Sequence, residues 1–272
     1  MAFSAQTAIL LVLIGFGVGV FGTVVGAGGG FILTPILLLL YPHESAQTLT
    51  AISLSVVFFN AASGSAAYAR QRRIDYRSGI VFALATVPGA IGGALLVGVV
   101  SRQVFDAIMG AVLAVLAVWL IAGERWPLRA ARGHLERRTL VDRAGEAYAY
   151  SVPVVRGAVY SLGVGFLSSF LGIGGGVIHV PLLVRALGFP THIATATSHF
   201  VLAVMAGTGT ITHLVVGSFH HHGLRRTVAL SIGVVTGAQL GAHISLRLSG
   251  RVIHWLLTAA LLVLSVRLLA GL

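Results

Sequence analysis

Eight apolar segments, separated by short polar stretches, are the feature that most limits how this chain of 272 residues can fold. The hydrocarbon core of a bilayer is about 30 Å thick, and an α-helix needs about 20 apolar residues to cross it. Hydrophobic residues make up 57% of the chain and charged residues only 9%, whereas roughly a quarter of the residues in a soluble domain are charged. The sequence therefore predicts an all-α integral membrane protein with about eight transmembrane helices. The expected segments are 6–40, 47–69, 79–100, 104–122, 155–188, 193–217, 227–246 and 252–270.

The second half of the chain repeats the pattern of the first. The stretch GVGVFGTVVGAGGGFILTP aligns without a gap with GVGFLSSFLGIGGGVIHVP, and the correspondence continues through the later segments. Internal duplication with paired, glycine-interrupted segments is typical of secondary transporters, whose site lies between the repeats. We predict a four-helix repeat at 1–122, a cytoplasmic hydrophilic linker at 123–153 that is partly helical, and a second four-helix repeat at 154–272.

Three consecutive glycines interrupt the first apolar segment of each half. Because glycine inside a helix costs about 0.5–1 kcal/mol relative to alanine, three in a row predict that the helix is broken there. Irregular backbone at membrane depth is tolerated where it is buried or lines a wet cavity. The half-helix after each break presents unpaired N–H groups and a positive dipole end, which suit an anion. We expect the two ends to converge on one site. The six glycines are Gly28, Gly29, Gly30, Gly174, Gly175 and Gly176.

Hydroxyl and imidazole groups are the other candidates for the site, because the predicted spans contain almost no central charged residue. Ser53 and its counterpart Ser198 are predicted to bind substrate. His179 follows the second glycine run where the first half has Leu33, and His199 follows Ser198. A histidine near its ordinary pKa of about 6.5 is a plausible proton-coupling group. Further polar candidates are Thr23, Ser55, Asn60, Ser168, Ser169, Thr195, Thr197 and Gln239.

Arginine is distributed unevenly among the connectors. If every segment crosses the bilayer once, the arginine-rich connectors after spans 2, 4 and 6 share a side with both termini, and the positive-inside rule places both termini in the cytoplasm. Four crossings per half make the repeats parallel. If each broken segment is a re-entrant hairpin instead, the repeats are inverted. The arginine distribution favours the parallel arrangement.

The paired glycine motifs, the duplication and the long central connector together resemble the TauE/SafE sulfite exporter family, over nearly the whole chain. The resemblance implies an eight-span secondary carrier, multi-pass in the bacterial inner membrane. It also implies transport of sulfite, organosulfonates or related sulfur-containing anions, with protons as a candidate coupling ion. The motifs identify a family better than a substrate.

Other classes of protein find less support in the sequence. A transition-metal permease could use the second-half histidines, but no intramembrane carboxylate accompanies them, and their spacing matches no tetrahedral site. An enzyme is not expected, because paired carboxylates, HExxH, GxSxG and cysteine are all missing. We expect no cofactor, no bound metal and no nucleic acid. The expected partners are a small anionic substrate and the lipid bilayer, and a homodimer is left open.

Overall fold

The computed structural model describes residues 4–122, 135–220 and 222–269. Ten α-helices, a 3₁₀ turn at Val97–Val99 and one antiparallel β-hairpin make up this part of the chain. The helices are α1 (Ala5–Val25), α2 (Gly30–Leu40), α3 (Ala46–Arg70), α4 (Tyr76–Leu96), α5 (Arg102–Ala122), α6 (Val154–Leu171), α7 (Gly176–Arg185), α8 (Thr191–Val215), α9 (Gly223–Ser245) and α10 (Gly250–Leu269). The strands are β1 (Glu136–Val141) and β2 (Ala147–Val152).

Seven helices in the described part are long and apolar enough to cross a membrane: α1, α3, α4, α5, α6, α8 and α9. The prediction of an all-α integral membrane protein is confirmed. Each of the two broken segments contributes one long helix and one short apolar helix, α2 or α7. The last predicted segment, 252–270, forms α10, a helix of 20 residues.

Helices α1 and α9 pack side by side and run in the same direction. A Cβ atom at Gly15 would collide with the backbone of Leu230, and one at Gly19 with the backbone of Val234. The absence of side chains therefore lets the two backbones touch. Because later residues of α1 meet later residues of α9, both helices begin at the same end of the bundle.

Helices α4 and α6 form the matching pair. A Cβ at Gly165 would collide with the backbone of Thr86, and one at Gly93 would lie 2.8 Å from the backbone nitrogen of Phe170. The first long helix of each half thus packs along the third long helix of the other half. Glycines at these positions thus let the helix backbones pack closely, whereas a Cβ at Gly17 would meet nothing within 4 Å.

Helix α2 turns back toward the end from which α1 came. At its start, Gly29 lies against Val18, about two turns before the end of α1. At its other end, the ring centroid of Tyr41 lies 3.9 Å from the guanidinium carbon of Arg226, in the first turn of α9. Glu44 also forms an ion pair with Arg226, at 2.8 Å. Because α9 and α1 begin at the same end, α1 and α2 form a re-entrant hairpin.

Helix α7 returns in the same way within the second half. The side chain of Leu187, just after α7, lies beside Gly157 in the first turn of α6. The ring of Phe189 lies 5.0 Å from the ring of Tyr150 in β2, the strand that leads into α6. The chain therefore comes back to the end at which α6 begins, and α6 and α7 form a second re-entrant hairpin.

The two hairpins enter from opposite ends of the bundle. Helix α3 begins where α9 begins, since Gln47 donates to Ser218 at 3.0 Å, and it ends where α9 ends, with Tyr68 3.3 Å from Ser245. Asp75, just beyond α3, accepts a hydrogen bond from strand β2. We call the end with the β-hairpin the hairpin end, and the opposite end, where α1 begins and α10 finishes, the terminal end.

The topology predicted from single crossings is therefore wrong. The left-handed glycines of each break turn the chain back, so each broken segment returns to its own side and the two halves run in opposite directions. The arginines at the hairpin end are Arg70, Arg72, Arg73, Arg77, Arg137, Arg138, Arg143, Arg156, Arg185, Arg247 and Arg251. Those at the terminal end are Arg102, Arg225, Arg226 and Arg267.

The described part of the linker forms a β-hairpin, and residues 123–134, where the linker could be helical as we predicted, lie outside the described residues. Asp142 forms an ion pair with Arg73 at 2.8 Å. Burial alone would raise the pKa of Asp142, but hydrogen bonds from Arg73 and from the N–H groups of Glu146 and Ala144 hold it below its ordinary value. These contacts fix the hairpin against the end of α3. The division into repeats at 1–122 and 154–272 stays a prediction.

Candidate functional site

Both glycine runs break their helices, as the sequence predicts. Helix α1 ends at Gly26, and the next left-handed residues are Gly28 and Gly29, at φ values of 72° and 80°. In the second half, Gly174 and Gly175 have φ values of 70° and 41°. Only glycine adopts such angles without strain. Residues 26–31 and 172–180 are buried, so the breaks face the interior of the protein.

The two breaks touch each other in a reciprocal arrangement. A Cβ at Gly30 would lie 2.7 Å from the carbonyl oxygen of Gly172, and one at Gly176 would collide with the carbonyl oxygen of Gly26. Each half-helix therefore starts against the end of the long helix from the other half. The positive end of one dipole meets the negative end of the other, which is a favourable pairing.

Several N–H groups at the breaks have no hydrogen-bond acceptor in the described part of the chain. They belong to Gly30 and Phe31 at the start of α2 and to Gly175 and Val177 at the start of α7. Buried N–H groups are nearly always paired. Unpaired donors at two half-helix starts therefore indicate a place where a ligand or water can bind.

Polar side chains fill the region around the first break. The side-chain nitrogen of Asn60 donates to the carbonyl oxygen of Gly28 at 2.8 Å, and the hydroxyl of Thr23 donates to the side-chain oxygen of Asn60 at 3.0 Å. In the second half, the counterpart of Asn60 is Met205, and the counterpart of Thr23 is Ser169. Met205 cannot donate in this way, and the second break is left open.

A small cavity of about 10 Å³, enough for about one water molecule, lies at the second break. The start of α7 contributes Gly175 and Gly176, and three neighbouring elements contribute the rest of the lining. Ser168 lies beside this cavity, 3.1 Å from the position of a Cβ on Gly175, and its hydroxyl has no partner within the described ranges. The polar and aliphatic lining includes Thr86, His179, Ser198, Val164, Leu202 and Met205.

The two predicted serines occupy equivalent positions but differ in their contacts. Ser53 donates to the carbonyl oxygen of Gly172 at 2.7 Å, and Thr34 lies 2.8 Å from the same oxygen. Ser198 lies 3.5 Å from the carbonyl oxygen of Gly26 and lines the cavity. The hydroxyl hydrogen of Ser53 is thus committed to the opposite break, whereas the contact of Ser198 is long. The substrate-binding role of both serines stays a prediction.

The two candidate histidines, His179 on α7 and His199 on α8, have different neighbours. His179 lines the cavity, and its Nε2 atom is 3.2 Å from the hydroxyl oxygen of Ser161. His199 is fully buried, and its ring centroid lies 5.5 Å from that of Tyr68. Neither ring nitrogen of His199 makes a hydrogen bond of ordinary length and angle among the residues described, although the backbone of Gly26 lies near the ring. The sequence counterparts of the two histidines are Leu33 and Leu54, so an apolar side chain fits each position. Their proton-coupling role stays a prediction.

Neither Ser161 nor Thr34 was predicted to belong to the site, because a single hydroxyl on an apolar helix usually bonds its own preceding turn. Ser55 and Thr195 do so here, donating to the carbonyls of Ala51 and Thr191. The alignment itself could have pointed to Ser161, since its counterpart is Gly15. For the metal-permease alternative, no group of three or more His, Asp or Glu side chains comes together in the described part of the chain.

The fold and the site together define a class of protein. Two re-entrant half-helices from oppositely oriented halves meet in the interior of a bundle of membrane-spanning helices, which is the architecture of secondary transporters.

The chain belongs to the TauE/SafE sulfite exporter family, whose model matches residues 11–268. It is similar to the probable membrane transporter protein YunE of Bacillus subtilis (strain 168), with 30% identity over 269 residues, 96% of this chain and 97% of that protein. A probable membrane transporter protein of Methanocaldococcus jannaschii is 25% identical over 263 residues, 93% of this chain and 91% of its own. One of Xylella fastidiosa (strain Temecula1) is 30% identical over 244 residues, 87% of this chain and 83% of its own. No solved structure matches the chain. The protein is a multi-pass membrane transporter.

Proposed function

We propose that this protein is a proton-coupled secondary transporter of small sulfur-containing anions such as sulfite or organosulfonates, in the bacterial inner membrane. The substrate binds where the two breaks meet, at the level of Gly28–Gly30 and Gly174–Gly176. Backbone N–H groups hold the anion together with hydroxyl groups, Ser198 foremost. His179 and His199 are the candidate proton carriers.

The unpaired donors around the cavity are the observation that carries this proposal. The N–H groups of Gly175 and Val177 and the hydroxyl of Ser168 are buried without acceptors among the described residues. Leaving a buried donor unpaired costs about 1–3 kcal/mol. An acceptor-rich anion would satisfy several of these donors at once without a fixed positive side chain. The family description as a sulfite exporter supports a sulfur oxyanion.

Transport into proteoliposomes tests the function. We expect labelled sulfite or a small sulfonate to exchange across the membrane, and an imposed pH gradient to drive its accumulation. Sulfate and Ni²⁺ serve as comparison solutes under the same gradient. Transport of Ni²⁺ without any anion flux would replace the proposal with a metal permease.

The orientation follows from the arginines. The hairpin end carries most of the described arginines, and basic residues near membrane ends favour the cytoplasmic side. We therefore propose that the β-hairpin lies in the cytoplasm and that both termini lie outside it, the reverse of the orientation expected from single crossings.

Thiol labelling tests this orientation directly, because the chain contains no cysteine. We expect a membrane-impermeant maleimide added to intact spheroplasts to label Arg225→Cys at the terminal end and to leave Thr139→Cys in β1 unlabelled. Both positions are exposed, so Thr139→Cys should react once the cells are opened. The reverse pattern would place the termini in the cytoplasm.

A further inference from the structure

The surroundings of His179 determine which of its ring nitrogens carries a proton. Only 2% of this residue is exposed, and it lies in the first turn of α7. Its Nε2 atom lies 3.2 Å from the hydroxyl oxygen of Ser161 on α6, whereas its Nδ1 atom has no partner in the described ranges.

Ser161 has one hydroxyl hydrogen, and that hydrogen is already committed. The hydroxyl donates to the carbonyl oxygen of Gly157, one turn earlier, at 2.7 Å. A carbonyl oxygen can only accept, so the hydrogen must lie between these two oxygens. Ser161 can therefore only accept from His179, and Nε2 must carry a hydrogen. In the neutral ring, Nδ1 is then a bare acceptor.

A bare acceptor at this place opposes the binding of an anion. An ionised oxyanion presents only acceptor atoms, so it would meet the lone pair of Nδ1 with a lone pair of its own. The unpaired donors of Gly175 and Ser168 at the cavity can bind the anion. Nδ1 can bind it only if a hydrogen lies between Nδ1 and the anion. That hydrogen can enter on the ring or on the anion itself.

We propose that this pocket takes up a small oxyanion together with one proton, which lies in the hydrogen bond between the anion and Nδ1 of His179. Ser161 is the positioning residue, because it fixes the proton on Nε2. The inference rests on the proposed function and adds how the proton and the anion are linked: they share one pocket.

The residues that form this pocket differ at the first break. Its counterpart of His179 is Leu33, its counterpart of Ser161 is Gly15, and the amide of Asn60 is bonded to the break itself. The proposal therefore assigns one coupled anion to each chain, at the second break.

The groups around His179 do not compete for the proton. Phe82 on α4 meets the ring edge-on at a centroid distance of 6.0 Å. Thr86 on α4, Ser161 and Ser168 on α6 and Ser198 on α8 are the polar groups facing this region. His199, next to Ser198 on α8, is a titratable group on a neighbouring helix and serves as a comparison.

Calorimetric binding of methanesulfonate to the purified full chain tests the proposal, because this anion stays ionised throughout the range of about pH 5–8 in which histidine titrates. We expect wild-type affinity to fall as pH rises, approaching about tenfold per pH unit for one linked proton. Titrations in two buffers of different ionisation enthalpy should show proton uptake with the anion. Binding without pH dependence or proton uptake would overturn the inference while leaving the transport function standing. Failure to bind or transport either methanesulfonate or sulfite would instead remove the proposed function.

Two variants distinguish coupling of the proton to the anion at His179 from a merely structural role of this residue. Ser161→Ala releases Nε2, so that a neutral ring can carry its hydrogen on Nδ1 and donate to the anion. We expect its affinity near pH 8 to rise toward its value near pH 6, which flattens the pH profile. His179→Gln should bind weakly and without pH dependence.

A matched control completes the experiment. Ser169→Ala removes an equally buried hydroxyl on the same helix, one that has no partner among the described residues, and should keep the wild-type pH profile of binding. His199→Leu, which introduces the residue found at the equivalent place in the first half, tests the other candidate proton carrier. The proposal would be overturned if Ser161→Ala kept the full pH dependence of anion binding. It would also be overturned if His199→Leu lost this dependence and His179→Gln kept it.

Discussion

Replacing Gly30 or Gly176 with alanine is expected to reduce the initial rate of anion transport by at least about tenfold, because the added methyl group forces the two breaks apart. Overpacking of this kind costs about 1–3 kcal/mol. A Cβ at Gly30 would lie 2.7 Å from backbone atoms of Gly172 and Ile173, and one at Gly176 would lie 2.5 Å from the Cα atom of Ala27. Neither glycine has a positive φ, so alanine fits the backbone at both positions and the effect is purely steric.

Gly17→Ala and Gly163→Ala are the matched controls for these variants. They lie on α1 and α6, the helices that precede the breaks, and a Cβ at either position would meet nothing within 4 Å. We expect both to transport at wild-type rates and all four proteins to reach the membrane in similar amounts. Wild-type flux in Gly30→Ala and Gly176→Ala would show that close contact between the breaks is not needed for transport.

Asp75→Asn is expected to release the β-hairpin from the bundle. Only 5% of Asp75 is exposed; it caps α4 by accepting from the N–H of Ser78 at 3.1 Å and accepts from the hydroxyl of Tyr150 at 3.0 Å. Burial and the charge of Asp75 raise the pKa of Tyr150, so that its hydroxyl remains a donor. Arg138 lies 3.7 Å away and is also buried. Removing one partner of a buried charge pair costs about 3–5 kcal/mol.

Limited trypsin digestion of inverted membrane vesicles measures this effect, because arginines lie in β1 and in the turn after it. We expect the wild-type hairpin to resist cleavage and the hairpin of Asp75→Asn to be cut rapidly. Glu146→Gln is the control: Glu146 is exposed in the turn of the hairpin, and its hydrogen bonds with Asp142 are made by its backbone. Equal resistance of Asp75→Asn and wild type would show that Asp75 does not hold the hairpin.

The two helix breaks, and the fact that they form a pair, could be predicted from the sequence, because a run of glycines acts directly on the local backbone. Three glycines inside an apolar segment disfavour a continuous helix, and the repeat of the motif at Gly174–Gly176 indicated a pair. Burial of both runs confirms that they face the interior. The choice of Ser198 and His179 also placed two residues on the lining of the cavity.

The direction of the chain after each break could not be predicted. The length of an apolar segment is the same whether its half-helix continues forward or turns back. The backbone dihedral angles that decide between the two, such as φ of 80° at Gly29, cannot be predicted from composition. The single-crossing assumption then turned the arginine pattern into the wrong topology. The β-hairpin was missed for a related reason: its strands are held by long-range contacts, of Asp75 with Tyr150 and of Arg73 with Asp142, that no local pattern reveals.

The exchange of helix partners between the halves has a consequence for biogenesis. Helix α1 packs along α9, which the ribosome synthesises only after α8. Until then the glycine-lined face of α1 must be covered by lipid or by the insertion machinery. Assembly of this transporter is thus a late, concerted event, and a nascent chain that stops after the first half cannot bury the surfaces that the finished protein hides.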